Sequence, residues 1–367
     1  MTDSTHLGVT DLAALIRAGQ IKPSEVMSAH LERIAQSGSP KYVFQFVDPS
    51  QAMMRAQVAD ALPPTGPLHG VPFAIMDTID TCDMPTGWGV KLYENRVPEQ
   101  NAACVDTLLS AGAMPIGKTT TPAFAIDETP NGAEAAVAEG LATFALCSRP
   151  PCTDVIVAYK PTRKICDLRG IMGLSHTLDT FCILARDPRD LKMLQTIISC
   201  DDDQNTESAI SRIGFFPGSL QNETSKVTSA EWRTTHEVSN SSEFKTLAQT
   251  HATILAFEVA RSRAAEAALG PSRVGQSLCD LAAAGARISD ANYAEAQRQR
   301  KQAHNLMDDM LQNIEALLVS ADHQLWSSMN HPCVTLPGPR AGCVQLIGHQ
   351  GQDARLLDIA CRFFEQT

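Results

Sequence analysis

Hydrophobic residues recur at helical spacing near the start of the chain. The stretch 11–16 places apolar side chains on one face after Thr10, a residue type suited to cap a helix N-terminus. The stretch 23–34 repeats the pattern and carries proline and Glu25 in its first turn, where the helix dipole favours acidic groups. We therefore predict two helices between residues 10 and 59.

Strand and helix patterns alternate in the next part of the sequence. The apolar run 71–76 predicts a buried strand, and a helix is predicted from about 102 to 111, ending at Gly112. A second strand is predicted over 114–118. A strand, a helix and a further strand in this order form a βαβ unit, which implies parallel pairing of the two strands.

The alternation continues to the end of the chain. Helices are predicted over 133–141, 191–198 and 353–364 with a mostly helical region over 244–317, and strands over 154–159, 213–216, 333–337 and 342–348. The polar stretches 201–207 and 218–242 are the candidates for loops or linkers. These patterns predict the α/β fold class.

The composition indicates a folded protein and limits the classes of partner that it could bind. Hydrophobic residues make up 44% of the 367 residues, enough for an extensive core. The 41 acidic and 30 basic residues give a formal charge of −11, which argues against a nucleic-acid-binding surface. The N-terminal sequence lacks the basic start of a secretory signal, and no apolar run approaches the ~18 residues of a membrane span. We expect a cytoplasmic protein with no membrane contact.

The cysteines give no sign of a metal site. The eleven cysteines are odd in number and scattered along the chain without any CxxC spacing, so neither a zinc site nor a disulfide framework is indicated. Asp77 and Asp80 have no third ligand nearby in the sequence, so we interpret them as loop caps. We expect reduced thiols and neither a metal nor a cofactor.

Several motifs occur in an order that is typical of one known family. They are GPLHGVPFAI at 66–75, DTIDT at 77–81, AGA at 111–113, IGKT at 116–119, YKPTR at 159–163, LSHTLDT at 174–180, LAR at 184–186 and the C-terminal stretches 332–337, 345–348 and 353–357. With these motifs the chain resembles the amidase signature family from about residue 8 to 365.

The resemblance implies a twisted, mixed β-sheet surrounded by helices and hydrolysis of a carboxamide C–N bond by a serine nucleophile. In that family a bridging serine and a neutral lysine activate the nucleophile. A hydroxyl needs such help because it is weakly nucleophilic until a base takes its proton, and lysine is a base only where burial lowers its pKa. A glycine-rich loop beside the nucleophile would donate N–H groups to the oxyanion.

The positions that carry this chemistry in the family differ in this chain. Met76 stands directly before Asp77, where the family has its lysine. Gly132 passes straight into an alanine-rich stretch, so the bridging serine has no counterpart. Cys147 and Ser148 stand where the Gly-Gly-Ser turn of the nucleophile is expected. We therefore predict no catalytic residue of the family kind, with these four positions as remnants of the site.

Other residues near the motifs have both a functional and a structural interpretation. Cys147 or Ser148 could replace the nucleophile, and His69 or His176 could serve as its base. Lys118, at the end of a predicted strand, could replace the missing amine. For all five the structural interpretation, as a loop cap or a core side chain, is favoured.

The function follows from this combination of preserved motifs and altered site positions. The leading hypothesis is an amidase-like protein, inactive by the family mechanism, that acts as a partner, regulatory or ligand-binding subunit. It would work as a homo-oligomer or beside an amidase subunit, with a small amide as its ligand. The alternative is an amidase with a rearranged site that uses Cys147 or Ser148. A third hypothesis is a shortened relative without a stable function.

The chain is predicted to form a single amidase-like domain over 1–367. Its segments are the N-terminal helices 1–60, the degenerate signature core 61–200, the loop-rich segment 201–243, and the helices and C-terminal strands 244–367.

Overall fold

Strands of a single mixed sheet run through the part of the chain that this computed structural model describes. The described residues are 3–38, 40–127, 132–149, 155–199, 212–215, 234–237, 242–320, 329–338 and 342–365. The strands are β1 Phe44–Phe46, β2 Pro72–Met76, β3 Met114–Thr119, β4 Phe144–Cys147, β5 Val157–Lys160, β6 Cys182–Ala185, β7 Ile213–Phe215, β8 Thr234–Glu237, β9 Ala316–Ser320, β10 Cys333–Pro337 and β11 Cys343–Gly348.

The strand order is β1-β3-β2-β4-β6-β5-β10-β11-β9-β7-β8. β2 lies between β3 and β4 and is parallel to both. From β4 through β6, β5, β10 and β11 to β9 the neighbours are antiparallel, whereas β7 is parallel to β9 and β8. The sheet is therefore mixed, and the predicted parallel pairing of the βαβ unit is confirmed.

Helices accompany the strands throughout the described residues. They are α1 Val9–Arg17, α2 Pro23–Gln36, α3 Pro40–Val43, α4 Pro49–Asp60, α5 Ala103–Ser110, α6 Gly132–Ala138, α7 Pro188–Ile198, α8 Ser242–Ser262, α9 Ala264–Ala267, α10 Pro271–Val274, α11 Gln276–Ala286, α12 Asp290–Leu311 and α13 Asp353–Phe364, with short 3-10 turns at Ser4–His6, Lys91–Tyr93 and Ala123–Ala125. The predicted α/β fold class is confirmed. No helix in these ranges is long and apolar enough to cross a bilayer.

The centre of the sheet is covered on both faces. Every residue of β2 is buried, and Phe73 stacks on Phe144 of β4 with ring centroids 5.2 Å apart. A continuous apolar run of this kind is typical of a strand that has no solvent face. α5 connects β2 to β3, and the turn at its end needs Gly112, whose φ is +92° and whose added Cβ would lie 2.8 Å from His69 Cα.

Some predictions about the N-terminal part are wrong. Gly8, not Thr10, caps α1, and the Thr10 N–H inside the helix donates to Asp190 Oδ1 at 2.8 Å. The segment 10–59 also contains more than two helices, because α3, β1 and α4 follow α2. A strand of three residues carries too short a pattern to separate it from the helices around it.

Other corrections concern strands. β4 and β6 were not predicted, and the helical region predicted over 244–317 ends at Leu311, because Leu317 belongs to β9. Residues 234–237, inside the predicted loop 218–242, form β8. The stretch 201–207 and the predicted strand residues Asp154 and Phe216 lie outside the described residues. The division into a single domain stays a prediction.

Candidate functional site

Two of the four remnant positions meet where parallel strands end. β2 and β4 are neighbours with Ile75 opposite Leu146, so the residues that follow lie at the same edge of the sheet. Met76 is completely buried, and Ser148 donates to its Sδ from N–H at 3.4 Å and from Oγ–H at 3.5 Å. A thioether is a weak acceptor without a proton to exchange, so Met76 orients Ser148 but cannot activate it.

The other two remnant positions are held in the core. Cys147 is fully buried and its Sγ donates to the Arg149 carbonyl at 2.9 Å. It stands opposite Cys182 of β6, whose thiol pKa is raised well above its usual value by burial and by the neighbouring Cys147. Gly132 begins α6, where an added Cβ would lie 2.3 Å from the Val43 carbonyl oxygen. Neither position lines the cavity beside Ser148.

That cavity has a volume of about 170 Å³ and lies among the strand end, a loop and a helix. It is lined by Phe124, Ala125, Ile126, Ser148, Arg149, Met172, Leu174, Leu178, Asp179, Thr180, His251 and Leu255. The loop 172–180 supplies one wall, and α8 supplies His251 and, one turn later, Leu255. The sequence does not predict a role for His251, because a single histidine inside a helical pattern belongs to no motif.

His251 lines the cavity with a ring nitrogen that makes no hydrogen bond to the described residues. This nitrogen is Nδ1, and it is buried. Burial, with the cationic Arg300 nearby, lowers the pKa of His251 to about 4. The imidazole is therefore neutral near pH 7, so one of its ring nitrogens donates a hydrogen bond and the other accepts one.

Asp179 faces the same cavity from the loop. Its Oδ1 accepts from the N–H groups of Leu174 at 3.2 Å and Ser175 at 3.0 Å. Burial raises the pKa of this carboxyl above its usual value. Arg149, which follows Ser148 after β4, donates to the Asp127 carbonyl at 2.6 Å.

A buried carboxylate fixes the loop to the helices. Glu258 of α8 accepts from Ser175 Oγ at 2.5 Å, from Thr177 N at 3.0 Å and Oγ1 at 2.5 Å, and from the Tyr293 hydroxyl of α12 at 2.6 Å. Burial alone would raise the pKa of Glu258, but these hydrogen bonds outweigh it and lower the pKa. The network holds the loop 172–180 at a fixed distance from α8, which forms the other wall of the cavity.

Lys118 has a structural environment away from the cavity. It is completely buried, and its Nζ donates to Thr86 Oγ1 at 2.8 Å and to the Ile79 carbonyl. Burial lowers its pKa to about 8, against the opposing effect of Asp77. The Asp77 carboxylate accepts from the N–H groups of the loop residues Gly87 and Gly89 at 3.0 and 3.2 Å, as a loop cap does.

The remaining candidates also make local contacts. Asp80 forms a two-pronged pair with Arg96, both distances being 2.9 Å. His69 Nδ1 accepts from the Thr65 N–H at 3.3 Å, and His176 is 80% exposed beside Glu258. Within the described ranges no cluster of three or more His, Cys, Asp and Glu side chains could ligate a metal.

The fold and site define a mixed α/β protein with a ligand-sized cavity at its strand ends, and comparisons with known proteins narrow this class. The Amidase family model matches residues 25–133. The A subunit of the glutamyl-tRNA(Gln) amidotransferase of Dehalococcoides mccartyi is 28% identical over 252 residues, which are 60% of this chain and 52% of that protein. The corresponding protein of Lachnospira eligens is 31% identical over 231 residues, which are 54% and 48% of the two chains.

Solved structures show the same fold over nearly the whole chain. A crystal structure of an amidase superposes with a TM-score of 0.85 at 20% identity and covers 98% of this chain and 99% of that one. The native peptide amidase of Stenotrophomonas maltophilia gives a TM-score of 0.79 at 20% identity, with 98% and 96% covered. The chain spans about half the length of the curated relatives it matches. Together these similarities support the resemblance to the amidase signature family.

Proposed function

We propose that this chain is an amidase-like protein that does not hydrolyse amides by the serine-serine-lysine mechanism and acts instead as a ligand-binding or partner subunit. The observation that carries the proposal is the contact of Met76 with Ser148. Met76 stands at the family's lysine position, and its thioether cannot take up a proton. It contacts the hydroxyl of Ser148, which is the residue next to the place where the family has its nucleophile.

Lys118, the buried amine of the neighbouring strand, does not replace the missing lysine in the proposed site. Lys118 directs its Nζ to Thr86 and to the Ile79 carbonyl, and it is not among the residues that line the cavity. A buried base is useful only within hydrogen-bond reach of the group that it deprotonates. The lowered pKa of Lys118 is therefore better explained by burial in the core than by catalysis.

The names of the relatives favour a function in which this chain binds a partner protein. Several are named as one subunit of an amidotransferase, and a protein so named works with others. We extend this to the present chain as a proposal, with a homo-oligomer or an intact amidase as the partner and the cytoplasm as the location. The cavity beside Ser148 would hold the ligand, for which a small amide is the first candidate.

A rearranged hydrolase is the second candidate function, and one observation favours it. Ser148 and His251 line the same cavity, and a neutral imidazole is the commonest base for a serine nucleophile. Cys147 is less suited because its thiol points into the core and bonds to a carbonyl.

Purified full-length chain tests both candidates. Ammonia release from a panel of small carboxamides and labelling by a fluorophosphonate probe are measured beside an active amidase. The proposal predicts no turnover and no label on Ser148 or, with iodoacetamide, on Cys147. Turnover that disappears in both Ser148→Ala and His251→Leu would instead establish the rearranged hydrolase.

A further inference from the structure

The size and lining of the cavity beside Ser148 limit what it can hold. Its volume of about 170 Å³ slightly exceeds the ~150 Å³ of an engineered protein cavity that binds benzene. Most of the wall is apolar, formed by Phe124, Ala125, Ile126, Met172, Leu174, Leu178 and Leu255. A compact apolar body with a single ring matches this space.

Three polar atoms of the wall have hydrogen-bonding capacity that no described residue uses. Ser148 Oγ gives its proton to Met76 Sδ, which leaves the oxygen lone pairs free. Both hydrogen bonds to Asp179 reach Oδ1, and none reaches Oδ2 from the described residues. His251 Nδ1 is buried and likewise receives no bond from them, and it is an acceptor in the tautomer that carries the ring proton on Nε2. A ligand that donates N–H groups would satisfy atoms that are costly to leave unpaired.

An anionic ligand fits this wall less well. The Asp179 carboxylate repels a second carboxylate, and neutral His251 supplies no positive charge. Arg149 is the cation of the lining, and its guanidinium donates to the Asp127 carbonyl. The neighbouring Arg300 and Arg163 lie outside the lining, so an anion in the cavity would meet Arg149 first.

We propose that the cavity binds a compact one-ring molecule whose polar end carries N–H donors, and that His251 and Asp179 select this end over a carboxylate. The inference rests on the proposed function as a ligand-binding protein and adds the chemistry of the ligand. It assigns His251 a recognition role.

Four simple probes separate ring binding from recognition of the polar end. Toluene and aniline have nearly the same shape but differ in the N–H donor, benzamide adds a carbonyl, and benzoate replaces the amide by an anion. Dissociation constants are measured on the full-length chain by ligand-observed NMR. We expect aniline and benzamide to bind about tenfold more tightly than toluene, as one satisfied hydrogen bond allows, with benzoate weakest.

Variants assign the preference to its residues. His251→Leu should remove most of the tenfold preference for aniline over toluene while toluene still binds, which shows that the cavity is intact. Asp179→Asn should strengthen benzoate relative to benzamide. His6→Leu, at a half-exposed histidine in the N-terminal 3-10 turn, is the matched control and should change neither ratio.

Each outcome decides between the proposals. Equal binding of toluene and aniline, tightest binding of benzoate, or no binding of any probe would overturn the inference. So would an unchanged aniline preference in His251→Leu. Hydrolysis of benzamide would contradict the non-catalytic function but leave the N–H preference standing, so the two proposals fail separately.

Discussion

At the scale of single residues, Met76 distinguishes this chain from a hydrolase with a buried amine. Its side chain has no exposed surface and accepts both hydrogen bonds of Ser148 that the strand end offers. A lysine at this position would need acceptors, and a protonated amine without them is strongly disfavoured in a core. Ser148 offers donors to residue 76, and donors suit the Met76 thioether better than an ammonium group.

We predict that Met76→Lys does not restore hydrolysis and lowers the free energy of unfolding by several kcal/mol. It buries an ammonium group where the described residues hydrogen-bonded to Met76 offer one acceptor, the Ser148 hydroxyl, and no carboxylate. Met76→Leu, which keeps the volume, should cost less than ~1.5 kcal/mol. Met54→Lys, at a methionine of α4 that is 57% exposed, is the matched control and should change stability by less than ~0.5 kcal/mol. Urea unfolding measures all three. A Met76→Lys variant as stable as the control would refute this view of the site.

The lowered pKa of Lys118 leads to a prediction about how stability depends on pH. The pKa of Lys118 is about 8 in the folded chain, whereas its ordinary value is 10.5. Between pH 8 and 10.5 the unfolded chain therefore binds more protons at this residue than the folded chain does. The free energy of unfolding accordingly rises with pH in this range. The free energy of unfolding of the wild type, relative to Lys118→Met, should rise by about 3 kcal/mol from pH 8 to 10.5. Lys301→Met, at an exposed lysine of α12, serves as the control. A difference that stays constant with pH would contradict the prediction.

At the scale of elements, the cavity depends on the loop 172–180, which a buried carboxylate holds together with hydrogen bonds from Ser262 and Arg263. Glu258 is 4% exposed and joins α8 to the loop 172–180 and to Tyr293 of α12. Three separate segments thus meet at one anion, whose charge strengthens each hydrogen bond. The wall of the cavity is fixed by these contacts and not by the apolar side chains alone.

We predict that Glu258→Ala lowers the free energy of unfolding by about 3 kcal/mol, because it leaves several buried donors unpaired. The pKa of Glu258 is lowered in the folded state, so its contribution is complete above the ordinary value of 4.5 and is lost as pH falls through the folded pKa. Glu258→Gln should therefore remove part of the acid sensitivity. Glu295→Gln, at an exposed glutamate of α12, is the control. Identical acid unfolding of the wild type, Glu258→Gln and Glu295→Gln would contradict this role of Glu258.

Elements also show how far the sequence predicts the structure. α13 was predicted with its observed bounds because its apolar residues repeat at helical spacing over three turns. β4 and β6 were missed because four apolar residues show neither helical nor alternating periodicity.

The candidate site also contains residues that the sequence predicts and residues that it does not. Met76 and Ser148 could be found because each lies at a fixed place in a motif. His251 and Asp179 reach the same cavity from segments that are far apart in the chain, so their meeting depends on packing that no local pattern records.

At the scale of the whole molecule, the sheet joins the two ends of the chain. β10 pairs with β5 on one side and with β11 on the other, so C-terminal strands are inserted beside strands of the central core. A sheet assembled this way should unfold as a unit. A shortened relative without a stable function would show no cooperative transition, which makes thermal unfolding the test of that hypothesis as well.

Asp353, which is 1% exposed at the start of α13, provides the sharpest test of this cooperativity. It accepts from the Tyr159 hydroxyl of β5 at 2.5 Å and from Thr162 N at 2.7 Å. We predict that Asp353→Ala costs about 3 kcal/mol and moves a single transition, followed by calorimetry and by circular dichroism, to lower temperature. Asp290→Ala, at an aspartate whose side chain is 92% exposed at the start of α12, should leave the transition nearly unchanged. Two transitions, only one of them shifted by Asp353→Ala, would mean that the ends of the chain fold independently and that the single-domain prediction is wrong.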